Sequence, residues 1–158
     1  MAILMAMNLT SPSFKSGAEI PKRHTCEGQD AAPALAWSDL PSGTKTLALV
    51  VDDPDAPDPA APKRTWVHWV VYDIPAGAPG LPDGGALPAG ARVAKNDFGK
   101  AAWGGPCPPI GRHRYFFKLY ALDASLPAGL ASKADIEKAM KGHVLGEAQL
   151  MGTYEKGR

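Results

Sequence analysis

Apolar and polar positions in this chain alternate over short stretches more often than they recur at helical spacing. Residues 46–51 are apolar on both parities, with Leu47, Leu49 and Val51 on one side and Ala48 and Val50 on the other, which predicts a central strand covered on both faces. Residues 66–74 are nearly as apolar, and plain alternation puts His68 on one face with Trp66, Val70 and Tyr72. Residues 114–122 form an aromatic, alternating strand whose inward set continues from His113 and Tyr115 to Phe117, Leu119 and Ala121. Residues 9–14 and 33–37 read as two further short strands, each followed by turn residues.

Helical spacing is confined to the C-terminal part. Ser132 with Asp135 three residues on resembles a capping box, with Asp in place of the usual Glu or Gln, and Ile136, Ala139 and Met140 then recur on one helical face. Gly142-His143 interrupts that helix. Residues 144–151 read as a second helical piece weakened by Gly146, residues 153–158 as a fraying tail, and the two helical pieces are expected to cover one end of the β structure. Residues 75–90 show neither period and are expected to be a long, mobile surface loop.

The chain has 158 residues, enough for one domain with a single core, and its Gly and Pro content with few long periodic runs predicts many short strands joined by tight turns, the pattern of a sandwich. A net charge of +1 advertises no basic face, so nucleic acid is not an expected partner. The longest apolar run is far short of the ~20 residues of a membrane helix, so no membrane span is expected. Residues 1–7 are apolar but lack a positive n-region and lead straight into strand-like sequence, so no signal peptide is read and the expected compartment is cytoplasmic. On that basis Cys26 and Cys107 default to free thiols.

Candidate chemistry gathers where three strands begin or end. The strand at 46–51 runs into Asp52-Asp53-Pro54-Asp55-Ala56-Pro57, the next carries His68 within an apolar run, and the third is entered through Gly104-Gly105-Pro106-Cys107-Pro108-Pro109-Ile110-Gly111-Arg112-His113-Arg114-Tyr115. A segment so dense in Gly and Pro is a fixed loop rather than helix or strand. Two X-Pro bonds in a tight turn predict a cis bond, placed at Ala56-Pro57. A lone histidine on an apolar strand is by itself more often a core residue than a functional one.

The set DPDAP, WVHW and GPCPPIGRHRY followed by FKLYAL resembles the phosphatidylethanolamine-binding protein family, and Lys95-Asn96-Asp97-Phe98-Gly99 with the Gly-Pro-Cys-Pro-Pro loop resembles its bacterial Raf-kinase-inhibitor-like branch. The resemblance runs from Ser11 to Tyr154. It implies an all-β sandwich of two antiparallel sheets with a small helical C-terminal element. It also implies one small anion site, lined by Asp53, Asp55, Pro57, Trp66, His68, Gly105, His113 and Tyr115. In that site imidazole N–H groups, the Tyr115 hydroxyl and backbone N–H groups around residues 105–111 would be the donors, and Asp53 would accept from an imidazole. Asp55 would fix the turn, while Pro57 and Trp66 would shape the wall. Lys63 and Arg64 are either a solvated turn or a steering charge. In the same branch the His24-Thr25-Cys26 loop accompanies the Gly-Pro-Cys-Pro-Pro loop, which implies that Cys26 approaches Cys107, against independent thiols as the alternative.

The function this implies is binding without turnover, with no cofactor: a small phosphate-type or carboxylate anion, or a phospholipid head group. The alternative is an inhibitor or scaffold that presents the pocket rim to a kinase or protease. Two other chemistries compete. His24, His68, His113, His143 and the two cysteines could ligate a metal, but show no ligand-pair spacing. A Cys107, His68 or His113, Asp53 hydrolase would need a thiolate that two flanking prolines give no helix terminus to hold. Surplus apolar residues at Met140, Val144, Leu145 and Met151 suggest a two-fold homodimer.

Overall fold

The computed structural model describes residues 7–157. The elements follow in the order β1 (Asn8–Thr10), a 3-10 turn (Lys22–His24), β2 (Leu35–Ser38), β3 (Thr46–Ala56), β4 (Arg64–Pro75), β5 (Gly80–Leu81), β6 (Arg92–Ala94), β7 (Arg112–Leu122), α1 (Lys133–Met140) and β8 (Val144–Glu155). The strands form a five-stranded antiparallel sheet in the order β6-β4-β3-β7-β8 and a three-stranded one in the order β1-β2-β5. This is the expected all-β sandwich of two antiparallel sheets with a small helix.

The two-sided apolarity of β3 is used on both sides. Leu47, Leu49 and Val51 join Trp69, Val71, Phe117 and Leu119 in the core between the sheets, closed from the smaller sheet by Leu9, Leu35, Trp37 and Leu81. Ala48 and Val50 pack with Val70, Tyr72, Ile136 and Met140 in a second core beneath α1. The helix therefore covers the outer face of the large sheet, not one end of the sandwich. Its start is as expected: the Ser132 hydroxyl accepts from the Asp135 N–H, and the Asp135 carboxylate accepts from the Ala131 N–H.

Plain alternation misplaces β4. Val51 pairs with Trp69 and Asp52 with Val67, so His68 is the extra residue of a β-bulge. The bulge flips the parity: Trp69 and Val71 point to the inter-sheet core while Val70 and Tyr72 point to α1. His68 stays with Trp66, both lining one cavity, and not with Val70 and Tyr72.

The segment expected as a second helical piece is β8, paired with β7 from Val144 to Glu155. Its inward positions are Gly146, Leu150, Gly152 and Tyr154, a period of two in which small residues conceal the alternation. Gly152 is required there, because a Cβ would come within 2.5 Å of Ile20 Cγ1 and 2.8 Å of Phe14 Cε2. Consequently Thr153–Glu155 is sheet, not a fraying tail. The surplus apolar surface taken to suggest a dimer is partly absorbed as well, since Met140 is buried in the second core.

Residues 75–90 are likewise not a free loop. Gly80–Leu81 adds β5 to the smaller sheet, the Trp37 Nε1–H donates to Ala78 O at 2.7 Å, and the Gly84 N–H donates to Ala32 O at 2.9 Å. Of the apolar N-terminal stretch, residues 1–6 lie outside the described residues. No helix among the described residues is long and apolar enough to cross a membrane.

Candidate functional site

β3 ends where β4 and β7 begin, and side chains from those ends enclose a cavity of about 240 Å³. Its polar lining is Asp53, Trp66, His68, His113 and Tyr115. Its apolar wall is Ala56, Pro57, Phe98, Cys107, Pro108 and Pro109.

Asp53 sits at the centre of the supporting hydrogen bonds. Its Oδ1 accepts from the Asp55 N–H at 2.7 Å and so holds the turn, while its Oδ2 lies 2.6 Å from His113 Nδ1. The other nitrogen of His113, Nε2, lies 2.9 Å from Ile110 O and 3.1 Å from Pro57 O. All three partners of the ring are acceptors, and between them they take up both ring nitrogens. His113 is therefore a strut between the Asp turn and the Gly-Pro loop. The Ala56-Pro57 peptide bond that precedes the Pro57 carbonyl is cis, as the turn predicted.

His68 is held differently. Its Nδ1 lies 2.6 Å from Gly104 O, which can only accept, so Nδ1 carries a proton, and in the neutral ring Nε2 holds a lone pair. Nε2 has no hydrogen-bond partner among the described residues. Burial pushes the His68 pKa below the ordinary histidine value, opposed by the Gly104 carbonyl and by the charges of Asp53, Asp52 and Asp30. The ring contacts Tyr115 edge-on at 5.2 Å and Phe98 at 5.6 Å.

Tyr115 is 1% exposed and stacks on His113, yet its hydroxyl has no hydrogen-bond partner among the described residues. Burial, with Asp53 and Asp55 nearby, drives its pKa up, so it stays a donor. Trp66 Nε1–H is buried with no partner among the described residues, and the Arg64 guanidinium lies 4.6 Å above its ring. Arg64 also pairs with Asp97 at 3.3 Å.

The Gly-Pro loop is fastened from outside the cavity. Cys107 is disulfide-bonded to Cys26, the Cys26 N–H donates to Pro106 O at 3.1 Å, and the Gly105 N–H donates to Asp30 Oδ1 at 2.8 Å. Phe98 is placed by Asn96, a buried residue whose Oδ1 accepts from the Phe98 and Lys100 N–H groups and whose Nδ2 donates to His68 O and Ala102 O.

Comparison with known proteins adds the family. A model of the phosphatidylethanolamine-binding protein family matches residues 10–155. The chain belongs to that family. A UPF0098 protein of Methanothermobacter thermautotrophicus is 48% identical over 157 residues, covering 96% of this chain and 100% of that one. A Chlamydia trachomatis homologue of phosphatidylethanolamine-binding protein superposes with a TM-score of 0.89 at 40% identity, over 96% of this chain and 99% of the other. E. coli YbcL, described as a member of the mammalian family, gives 0.86 at 36% identity, again over 96% and 99%.

Six of the eight residues that the family resemblance implied, Asp53, Pro57, Trp66, His68, His113 and Tyr115, line the one cavity. The other two do not. The Asp55 carboxylate is taken by Arg114, accepting from its backbone N–H at 2.9 Å and its guanidinium at 2.8 and 3.0 Å, which holds the acid below its usual pKa. Gly105 is a glycine because a Cβ would meet His24 O at 2.2 Å, and its N–H belongs to Asp30. The backbone donor expected at Gly105 is thus occupied. Cys107 in the disulfide has no thiolate for a hydrolase, and the independent-thiol reading fails with it. Phe98 was missed as a wall residue. The signal was the Asn-Asp-Phe-Gly turn, where a buried Asn fixes the aromatic two residues on.

Proposed function

We propose that the cavity binds a small phosphate-type or carboxylate anion, of the kind a phospholipid head group or a phosphorylated small molecule presents, and releases it unchanged. The observation that carries the reading is the Tyr115 hydroxyl: a donor that lines the cavity beside two histidines, with no protein acceptor in reach. Such a group, set in a largely apolar cavity, is free to donate to an anion oxygen bound there. Membership of a family named for a phospholipid supports the same class of ligand. Native mass spectrometry of protein purified from its source cells, followed by calorimetric titration of the species found, tests it. A retained phosphate-type or carboxylate species whose affinity falls in Tyr115→Phe is the expected result. Unchanged affinity in that variant and in His68→Ala overturns the reading.

A second reading, an inhibitor or scaffold that offers the rim to a kinase or protease, is favoured by the rim itself. Phe98 is 44% exposed and Ile110, next to Pro109 of the wall, is 54% exposed. A distant fold neighbour, a carboxypeptidase Y inhibitor at 18% identity and a TM-score of 0.59, was solved with its cognate proteinase. Loss of partner binding when the cavity is filled with a phosphate monoester would favour this reading. For the compartment, the Cys26–Cys107 bond favours an oxidising environment over the cytoplasm expected from the sequence. Thiol titration of protein trapped in acid from source cells decides between them.

A further inference from the structure

The Cys26–Cys107 bond joins two residues in unlike settings. Cys26 is exposed, in the loop after the 3-10 turn, whereas Cys107 is half-buried between the buried Pro106 and Pro108 and lines the cavity. A disulfide is opened by a thiolate that attacks one sulfur and expels the other, and access decides which sulfur is attacked. We infer that Cys26 is a thiol-exchange site: a low-molecular-weight thiol attacks Cys26 Sγ from solvent, forms a mixed disulfide there and releases Cys107 as a thiolate that takes up a proton on the cavity wall. One S–S bond forms as one breaks, so no outside oxidant is consumed. The cavity wall thus has two states, a closed disulfide or a free thiol at Cys107, and the captured thiol that sets the state sits outside the cavity.

Both loops are shaped without the bond, which makes the exchange reversible. Beside Cys26, the hydroxyl of the buried Thr25 donates to Lys22 O at 2.8 Å and accepts from the Glu27 N–H at 3.2 Å, and the Gly28 N–H donates to Thr25 O at 3.1 Å. Pro108 restricts Cys107 to extended backbone, and Pro106 has its own φ fixed by its ring. Three hydrogen bonds then hold the loops against each other: the Cys26 N–H to Pro106 O, the Gly105 N–H to Asp30 Oδ1 and the Trp103 Nε1–H to His24 O. A released Cys107 therefore stays beside Cys26. Its thiolate resolves the mixed disulfide by attacking Cys26 Sγ and expelling the small thiol, which restores the internal bond. The Glu27 carboxylate next to Cys26 accepts from the Tyr154 hydroxyl and the Gly157 N–H, with Lys22 and Lys156 nearby, so an incoming thiolate does not meet an isolated negative charge.

Trapping and single variants test this with glutathione as the thiol. Disulfide-bonded wild-type protein is incubated with reduced glutathione, quenched with excess iodoacetamide and mapped by peptide mass spectrometry. The expected trapped species carries glutathione on Cys26 and the alkyl group on Cys107. With oxidised glutathione, Cys107→Ser should form its mixed disulfide at Cys26 at least about tenfold faster than Cys26→Ser forms one at Cys107, because access sets the rate. Acid stops exchange by protonating thiolates, so the wild-type adduct can be freed of glutathione at low pH and then returned to neutral pH. There it should close to the internal disulfide, while the adduct of Cys107→Ser persists. Glutathione on Cys107 in the trapped wild type, equal rates for the two variants, or no adduct on Cys26 in Cys107→Ser overturns the assignment of Cys26. A wild-type adduct that survives the return to neutral pH overturns the resolving role of Cys107. If a variant fails to fold, the position of glutathione in the trapped wild type decides alone.

Discussion

The Asp53 carboxylate and the His113 imidazole meet at 2.6 Å with both side chains almost wholly shielded from water. Each also ties down backbone: Asp53 the Asp55 N–H, His113 the carbonyls of Pro57 and Ile110. The pair thus pins two loops from opposite sides of the cavity and leaves no His113 N–H for a ligand. His113→Ala leaves a buried carboxylate unpaired and is expected to cost about 3–5 kcal/mol in denaturant unfolding. Asp53→Asn keeps the shape without the charge and is expected to cost less, roughly 1–3 kcal/mol. Equal stability of wild type and His113→Ala would show that the pair is not structural.

His68 ties stability to pH with a definite sign. Its pKa in the folded protein lies below the unfolded value of about 6.5, so between those two values the unfolded chain binds the extra proton. The stabilisation is complete above the unfolded pKa and is lost as pH falls through the window, by at most about 1.4 kcal/mol per pH unit. Wild-type protein should therefore lose more stability between pH 7.5 and 5 than His68→Gln does. Parallel pH profiles for the two proteins would show that the ring titrates as it does unfolded.

Cys26 and Cys107 are 81 residues apart, and their bond fastens the loop after the 3-10 turn to the cavity wall. Reduction restores the chain entropy of a long closed loop, which is expected to cost roughly 2–4 kcal/mol. Three hydrogen bonds still hold the two loops together: Cys26 N–H to Pro106 O, Gly105 N–H to Asp30, and Trp103 Nε1–H to His24 O. Reduced protein, or Cys26→Ser with Cys107→Ser, should therefore stay folded while its unfolding midpoint drops and ligand affinity weakens. Unaltered midpoint and affinity would leave the bond without a stabilising role.

The legible parts of the fold were those where pattern and chemistry agree. Residues 46–51 are apolar on both parities because two cores flank β3, and Ser132 with Asp135 marked the start of α1. The errors have physical causes. β8 hides its alternation because its inward positions include Gly146 and Gly152, which add nothing to a hydrophobic count. His68 was assigned the wrong neighbours because a bulge cannot be seen without the register of β3 against β4. In the site, the list came from the family resemblance, and six of its eight residues line the cavity. Their roles were less legible, since which nitrogen of His68 or His113 is free depends on carbonyls of Gly104, Pro57 and Ile110 that any residue would supply.

Tyr115 separates ligand binding from folding. Its ring is core, packed between His68 and His113, but its hydroxyl bonds to nothing among the described residues. Tyr115→Phe keeps the ring and removes a cavity-facing donor with no protein partner, so it is expected to leave stability nearly unchanged. If the hydroxyl donates to an anion, the same change removes a charge-assisted hydrogen bond, roughly 1.5–3 kcal/mol or about one to two decades of affinity. Thermal unfolding and calorimetric titration of methyl phosphate on the same preparation read both effects. A variant that is destabilised while its affinity is intact would assign Tyr115 to the core alone. A variant as stable as wild type that binds at least about tenfold more weakly places the hydroxyl on the ligand.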